Sequence, residues 1–479
     1  MKIKNIFSAL LGINILLLVL VNSGCKKSIE VGPSKVSATS SNAFTSNSAA
    51  QTVVAGILTK MSVGDFYQGP SSVSLCMGLA SDELVSLSTN ASSLGSFYTN
   101  SYTALVPPPF WTTMYRELFY CNTAINGITA SSAITPAVKA QLLGELKFIR
   151  AYIYFYAVNL YGTPPLTLTD DYTVNNVLAN TPADQVYAQI IKDLTDAQSS
   201  LADNIYVDGT GATVTDRVRP NKQVATAMLA RVYLYLQDWK NAEAQASAVI
   251  ANSNYTLVTN LNQVFLKGSK ETLWALQPVS TVNLNTIDAA YLIVNTSSAA
   301  VTQLPLNKAL VNSFEAGDGR LANWTGTYTT TSAPITTYRY ANKYKVSSNS
   351  PTVAVTEYPI MMRFAEQYLI RAEARAQQGN TGGAAADLNA IRLRAGLAAT
   401  TFTTQTDLLN AIYHERQVEL FTEWGHRWFD LKRTGKLDAV MTTVAPTKAA
   451  TWSSYKQLMP IPSGDILADP NLKQNTGYN

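Results

Sequence analysis

The sequence has few charged residues, and this shortage limits the partners that the protein can have. Lys, Arg, Asp and Glu make up 14% of the 479 residues, against about 25% in an average soluble protein. The formal net charge is +4, and no basic run is longer than a pair such as Lys26-Lys27. Nucleic acid is therefore not expected as a partner.

Histidine and cysteine are also scarce, which argues against metal sites and nucleophilic catalysis. The two histidines, His414 and His426, lie in one segment near the C-terminus, so a His-based metal site or a Ser-His-Asp triad elsewhere is not expected. Three scattered cysteines, at positions 25, 76 and 121, are too few for a disulfide framework. Cys76 and Cys121 either pair, since the cell exterior permits oxidation, or are two small buried apolar residues. The second alternative is favoured.

Long apolar runs are missing after Val21, so no later segment is predicted to span a bilayer. Residues 1–24 contain two lysines, an apolar run and a Ser-Gly pair directly before Cys25, which is the plan of a secretory signal peptide. This plan predicts cleavage before Cys25 and attachment of lipid to its thiol, although Asn22 stands where lipoproteins usually carry Leu. Residues 25–43, rich in Ser and Ala, are predicted to form a flexible tether.

The sequence does contain repeated helical patterns. In the clearest unit, residues 222–252, the small residues Ala230 and Ala242 lie where two antiparallel helices must approach each other closely. Ala372 and Ala384 repeat the same spacing within a second unit. This arrangement is typical of tetratricopeptide-like helix pairs. The fold class is therefore predicted to be mainly α.

Weaker units at 108–160 and 183–202 bring the number of helix pairs to about four, which is enough for a stable stack. Residues 253–358 differ from these units, because strand-like segments alternate there with loops rich in Thr, Asn and aromatic residues. Ordered insertions of this length usually carry function. We therefore expect the ligand site to involve this insertion.

The segment 412–435 combines charged residues with large aromatic ones. Three glutamates recur at every fourth residue of a predicted helix, and two tryptophans follow them. Charges laid among so many apolar groups are expected to be partly buried, and buried charges must be paired and hydrogen-bonded. We interpret the charges as a structural lock rather than as a catalytic carboxylate cluster. The positions of this structural lock are Glu415, Glu419, Glu423, Arg427 and Asp430.

Four segments in a fixed order form a specific signature. They are GELKFIRAYIYFYAVNLYGTPPL (144–166), RFAEQYLIRAEARAQQGN…ADLNAIRLRAGL (363–397), ERQVELFTEWGHRWFDLKRTGKLD and LMPIPSGDILADPNLKQNTGY (458–478). Together they resemble the SusD/RagB family of outer-membrane nutrient-binding lipoproteins of Bacteroidetes. The resemblance implies a SusD-like fold, with the helix pairs as scaffold and the insertion carrying the ligand site.

The resemblance also implies a function. A protein of this family captures a glycan (an oligo- or polysaccharide) at the cell surface and delivers it to a partner TonB-dependent transporter, a SusC-like barrel. It is anchored in the outer membrane by lipid and uses no catalytic residue, cofactor or metal. Two alternatives remain open: a helical-repeat lipoprotein that binds peptide or protein or only docks on the transporter, and a glycoside hydrolase, which would need two carboxylates at an open cleft.

The expected domain plan is a signal peptide (1–24), the tether (25–43) and one SusD-like domain (44–479). Within that domain the division is as follows: scaffold at 44–252 and 359–440, insertion at 253–358, extended tail at 441–479.

A sugar site needs aromatic rings to stack on the C–H faces of the sugar, and amide or carboxylate groups to bond its hydroxyls. Two zones that read as rich in loops, 64–104 and 314–344, provide these groups, and the resemblance implies that the fold brings them together. The candidate residues are Tyr67, Tyr98, Asn100, Tyr102, Trp324 and Tyr328. Those expected to be exposed, because their neighbours are Ser, Thr, Asn and Gly, are Tyr98, Tyr102, Trp324 and Tyr328. Asp82 and Glu83 match a recurrent Ser-Asp-Glu element of the family, and we expect them to be structural.

Overall fold

The computed structural model describes residues 43–87, 93–203, 206–207, 212–279, 284–294, 303–331, 334–347 and 353–478. The predicted signal peptide, Cys25 and residues 25–42 of the tether lie outside these ranges. Within the described ranges, none of the helices combines the length and the apolar character needed to cross a bilayer.

The described chain is mainly helical, as predicted. In the first half the helices are α1 (Asn47–Val63), α2 (Val73–Ala80), α3 (Ser93–Tyr98), α4 (Phe110–Ala130), α5 (Pro136–Tyr161), α6 (Tyr172–Asn175), α7 (Ala183–Ser200), α8 (Lys222–Tyr235) and α9 (Trp239–Ile250). In the second half they are α10 (Asp288–Leu292), α11 (Lys308–Ser313), α12 (Gly319–Asn323), α13 (Phe364–Gln377), α14 (Thr381–Arg394), α15 (Gln405–Leu420), α16 (His426–Arg433), α17 (Leu437–Val444) and α18 (Ser463–Ala468). The strands are β1 (Tyr206–Val207), β2 (Thr213–Val214), β3 (Thr272–Ala275), β4 (Thr325–Thr329), β5 (Thr337–Ala341) and β6 (Ile360–Arg363).

The two clearest helix pairs are confirmed as α8/α9 and α13/α14, and they pack on each other through α9 and α13. Ala230 and Ala242 are fully buried, and they share a small cluster with Ile370 and Ala374 of the second pair. Small side chains at this contact let the two helices approach each other closely. The 253–358 insertion therefore leaves the stack after α9, and the chain returns to the same stack at α13.

Helix α5 is buried on nearly all sides of its second half, as its aromatic-rich sequence predicts. It ends at Gly162, whose φ of 78° is unfavourable for residues with a side chain. The C-terminal tail packs here, since the Met459 N–H donates to the Leu160 carbonyl at 2.7 Å. The tail is not wholly extended as expected: Pro462 is the N-cap of the short helix α18.

The insertion contains the short helices α10, α11 and α12 besides strands, whereas the sequence showed no helical period there. Strand β3, one of the strand-like segments expected in the insertion, pairs antiparallel with β6. All four residues of each of these strands are buried. Strands β4 and β5 form an antiparallel hairpin, with Tyr328 opposite Tyr338 and Gly326 opposite Tyr340.

The zone 64–104 is less rich in loops than the sequence suggests. Helix α2 lies inside it, and every residue of this helix is buried. Ser72 caps the helix by accepting the Leu75 N–H at 3.2 Å. Cys76 of α2 and Cys121 of α4 are buried free thiols, so the favoured alternative, two small buried apolar residues, is confirmed.

Candidate functional site

The centre of the structural lock is the carboxylate of Glu419, which is fully buried. It lies between three guanidinium groups: Arg363 Nη1 at 2.5 Å, Arg320 Nη1 at 3.0 Å, and Arg394. Burial alone would raise the pKa of Glu419, but the three arginines outweigh it and hold this pKa well below its ordinary range. The carboxylate is therefore ionised in the folded protein.

Lys343, in the chain just after β5, connects the insertion to this network. Its Nζ donates to the carbonyls of Glu419 and Phe421, both at 2.8 Å, and to Glu423 Oε1 at 2.6 Å. Burial lowers the pKa of Lys343 to about 8, although the charge of Glu423 opposes this shift. All three donor positions of the ammonium group are thus used, which fixes the end of the hairpin on the loop after α15.

The remaining lock residues are paired too. Glu415 bonds Arg320 Nη1 at 2.6 Å. Asp430 bonds Arg416 at 2.7 Å and Arg433 at 2.8 Å. Arg427 pairs with Asp82 at 2.7 Å. The expectation that these charges are partly buried and paired is confirmed, and their role as a structural lock stays a prediction. Sequence reasoning missed the partners outside the segment, chiefly Arg320, Arg363, Arg394 and Glu271.

The buried carboxylates are not arranged for hydrolysis of a glycan. Glu415 and Glu419 have no solvent-accessible side-chain surface, and each forms ion pairs with arginine. A hydrolase needs its two carboxylates at an open cleft. Among the described residues, no group of three or more His, Cys, Asp or Glu side chains is placed to hold a metal ion.

The two predicted zones are linked through residues 305–307, which form backbone hydrogen bonds to both. The Asn307 N–H donates to the Glu83 carbonyl at 2.7 Å, and the Val85 N–H donates to the Pro305 carbonyl at 2.9 Å. The Leu306 N–H in turn donates to the Arg339 carbonyl of β5 at 2.8 Å. The segment after the Ser-Asp-Glu element is therefore joined to the hairpin β4–β5 through residues 305–307.

Several of the predicted ligand residues are buried, and the expected exposure of Trp324 and Tyr102 is wrong. Trp324 is fully buried, and its indole N–H donates to the Leu261 carbonyl at 2.8 Å. Tyr102 is 4% exposed, and its hydroxyl donates to the Lys456 carbonyl at 3.0 Å. Neither ring presents a face to solvent, so neither is retained as a stacking residue.

Tyr67 and Asn100 are buried as well. The Tyr67 hydroxyl donates to Glu117 at 3.4 Å, and Asn100 Nδ2 donates to the Ala80 carbonyl at 3.2 Å. The partners lie on α4 and α2, so both side chains belong to the core around these two helices. Tyr98 is half-buried, and the Lys448 ammonium lies 5.1 Å from its ring centroid, so one face of this ring is already taken.

Tyr328 keeps a partly exposed ring, and it does not stand alone. Side chains alternate between the two faces of a strand, so Tyr328, Tyr338 and Tyr340 share one face of the hairpin. All three are half-buried. The Tyr340 ring lies over Gly326, within 2.3 Å of where a Cβ would stand. We call these three residues the tyrosine face; the alternation in Thr-Tyr-Arg-Tyr was the signal that could have found Tyr338 and Tyr340.

Comparison with known proteins adds to this geometry. A family model described as "SusD family" matches residues 307–478, and one described as "Starch-binding associating with outer membrane" matches residues 37–234. Among curated relatives, a SusD-like protein of Formosa agariphila is 25% identical, with 77% of this chain and 78% of the relative covered. The starch-binding protein SusD of Bacteroides thetaiotaomicron is 23% identical, with 76% and 78% covered.

Solved structures show the same fold. A SusD superfamily protein from Bacteroides vulgatus superposes with a TM-score of 0.77 at 18% identity, with 90% of this chain and 99% of the other covered. A laminarin-binding SusD-like protein superposes with a TM-score of 0.73 at 22% identity, with 90% and 99% covered. At such identities the likeness is one of fold alone.

Proposed function

Because the chain belongs to the SusD/RagB family, we propose that it binds an oligo- or polysaccharide at the outer membrane and delivers it to a partner TonB-dependent transporter. The family is one of carbohydrate-binding rather than catalytic proteins. The printed family description and the name of the starch-binding relative support a glycan as the ligand class.

The observation that carries the binding site is the tyrosine face. Tyrosine rings offer flat apolar surfaces to the C–H faces of a sugar, and their hydroxyls can bond its hydroxyl groups. The rings stand on paired strands rather than on a free loop, and Lys343 fixes the end of β5 through three hydrogen bonds. A rigid platform loses little conformational entropy when the ligand binds.

We further propose that Cys25 carries the lipid that anchors the protein in the outer membrane, with the folded part at the cell surface. The family description "associating with outer membrane" supports this location. Multiple acyl chains anchor a protein stably where one does so marginally. The transporter, a SusC-like barrel, would meet the helical-repeat scaffold, and the protein would act as a lid that loads and delivers the glycan.

The test is a binding screen on soluble residues 26–479, using affinity gels and calorimetry. The panel contains starch and laminarin first, then plant, fungal and host polysaccharides. We expect one class to retard the protein and to bind with a measurable Kd. If a folded protein, checked by circular dichroism, binds nothing on the panel while a partner barrel still co-purifies, the peptide-binding or docking alternative replaces glycan capture.

A further inference from the structure

A groove lies between α4, residues 165–178 and α18, and no residue of the tyrosine face lines it. Its volume is about 500 Å³, which falls within the range of small-ligand sites. None of the ligand residues predicted from the sequence lines this groove. We call it the α4 groove.

Aromatic rings form the base and the rim of the α4 groove. Trp111 and Tyr115 of α4 lie at its base, with ring centroids 4.6 Å apart. Phe119, one turn further along α4, is 45% exposed, and Tyr172 at the start of α6 is 71% exposed. Both rings line the groove, and they offer stacking surfaces to a ligand.

The polar groups of the α4 groove provide both donors and acceptors. The Asn175 Oδ1 atom is buried without a hydrogen-bond partner, whereas its Nδ2 donates to the Thr169 carbonyl at 2.8 Å. An unpaired buried acceptor is unfavourable, and Asn175 lines the groove, so a ligand that donates a hydrogen bond to it would be stabilised. Arg116 on one wall adds a donor, and Asp465 and Asp469 on α18 and beyond add acceptors.

We propose that the α4 groove is a second carbohydrate site, which takes a further segment of the same glycan chain. This inference rests on the proposed function. Sugar hydroxyls can donate to Asn175 and Asp465 and also accept from Arg116, while the C–H faces of the ring stack on Tyr172 or Phe119. Two sites on one protein raise the apparent affinity for a polysaccharide, because a chain bound at one site is at high effective concentration near the other. A short oligosaccharide that reaches only one site does not gain affinity in this way.

The test compares four forms of residues 26–479: wild type, the double variant Phe119→Ala/Tyr172→Ala, Asn175→Ala, and the control Phe402→Ala. Phe402 is an exposed phenylalanine outside the α4 groove. The substituted rings are exposed, so the melting temperature of the double variant should stay near that of the wild type, and a thermal melt verifies this. The glycan is the polysaccharide that the wild type binds most tightly, together with its short oligosaccharide.

We expect the double variant to bind the polysaccharide at least tenfold more weakly, and Asn175→Ala severalfold more weakly, with Phe402→Ala unchanged. In calorimetry with the oligosaccharide, the number of binding sites per protein should fall from two in the wild type to one in the double variant. If the wild type binds glycan and the groove variants bind it equally well with the same number of sites, the inference is wrong and the proposed function stands. If the wild type binds no glycan, both fail. If glycan binding is intact but a partner barrel no longer co-purifies, the groove is a protein contact and not a sugar site.

Discussion

Arg427 and Asp82 form an ion pair with two hydrogen bonds, from Nε to Oδ1 at 2.8 Å and from Nη2 to Oδ2 at 2.7 Å, although 345 residues separate them in the chain. Glu83 follows Asp82, and its Oε2 accepts the Thr422 N–H at 3.3 Å. Both acidic residues of this Ser-Asp-Glu element are thus hydrogen-bonded to the segment that forms the structural lock. The backbone of the same element bonds Asn307 and so supports the hairpin.

Glu419→Gln should destabilise the protein strongly. The substitution removes the negative charge that three arginines share. Arg320 then keeps Glu415, while Arg363 and Arg394 keep Glu271, so three buried cations are left with less negative charge around them. Breaking a buried pair in this way costs about 3–5 kcal/mol. Urea unfolding measures the loss. The control is Asp196→Asn, which weakens the partly exposed pairs with Lys147 and Lys192 and should cost less than about 1 kcal/mol. Equal losses in both variants would contradict a lock.

Glu83→Gln should change how stability depends on pH. Burial, aided by the charge of Asp82, raises the pKa of Glu83 from 4.5 to about 8, although the Thr422 N–H, Arg427 and Lys343 oppose the shift. Because the pKa of Glu83 is higher in the folded than in the unfolded protein, its protonated form contributes to the free energy of unfolding. This contribution is fully present below pH 4.5. It is lost as the pH rises toward 8.

Glutamine resembles the neutral acid and does not titrate. The variant and the wild type should therefore have similar free energies of unfolding at pH 4.5. Above that pH, the free energy of unfolding of the variant should exceed that of the wild type by up to about 1 kcal/mol more for each pH unit. Other groups titrate in both proteins, so the difference between the two isolates Glu83. A difference that stays constant from pH 5 to 8 would show that Glu83 is ionised in the fold.

Short-range patterns predicted the scaffold well. The helix pairs α8/α9 and α13/α14 follow from alanine spacing and from local caps such as Asp238, which accepts the Asn241 N–H. The lock was foreseen because charges on an aromatic-rich helix have no other stable arrangement. Its partners were not, since Arg363 and Arg320 lie 56 and 99 residues from Glu419, and nothing local indicates such pairings.

The aromatic residues of the insertion were harder to assign, for a physical reason. Trp324 has polar sequence neighbours, yet its ring is enclosed by Phe265 and by the cations of Lys343, Arg363 and Arg394, each 5.0–5.6 Å from its centroid. Exposure depends on what the rest of the chain places around a ring. Local composition therefore indicates a candidate zone but not which of its rings are exposed, and only the alternation along β5 indicates the tyrosine face.

Trp324→Ala should lower stability rather than act on binding alone. Removing a buried indole leaves a cavity and costs about 3–5 kcal/mol; here it also removes a cation–π partner of Lys343. Thermal unfolding should show a melting temperature several degrees lower. An unchanged melting temperature would mean that the ring is exposed after all.

Tyr328→Ala/Tyr338→Ala should weaken glycan binding without a comparable loss of stability. The two rings face each other across the hairpin and are half-buried. We expect Kd to rise at least about tenfold, which corresponds to about 1.4 kcal/mol. Tyr413→Ala on α15, another half-buried tyrosine, serves as the control in the same calorimetric titration. Equal affinity in all three proteins would remove the tyrosine face from the site.

Cys76 and Cys121 should be unreactive in the native protein. Both are fully buried, and burial raises the pKa of each thiol well above its ordinary value, so the reactive thiolate is scarce. A thiol reagent should label them only after unfolding in urea, in a form of the protein that begins at residue 26. Rapid labelling of the folded protein would show that α2 or α4 opens readily.

The hydrogen bonds of Lys343 have a consequence for the environments in which the protein can work. Salt ions screen charges at the surface, over a Debye length of about 8 Å at physiological ionic strength, but act far less on buried pairs. The hairpin is tied to the loop after α15 by a buried ammonium group and not by surface charges. The orientation of its tyrosine rings should therefore stay the same in dilute and in saline surroundings.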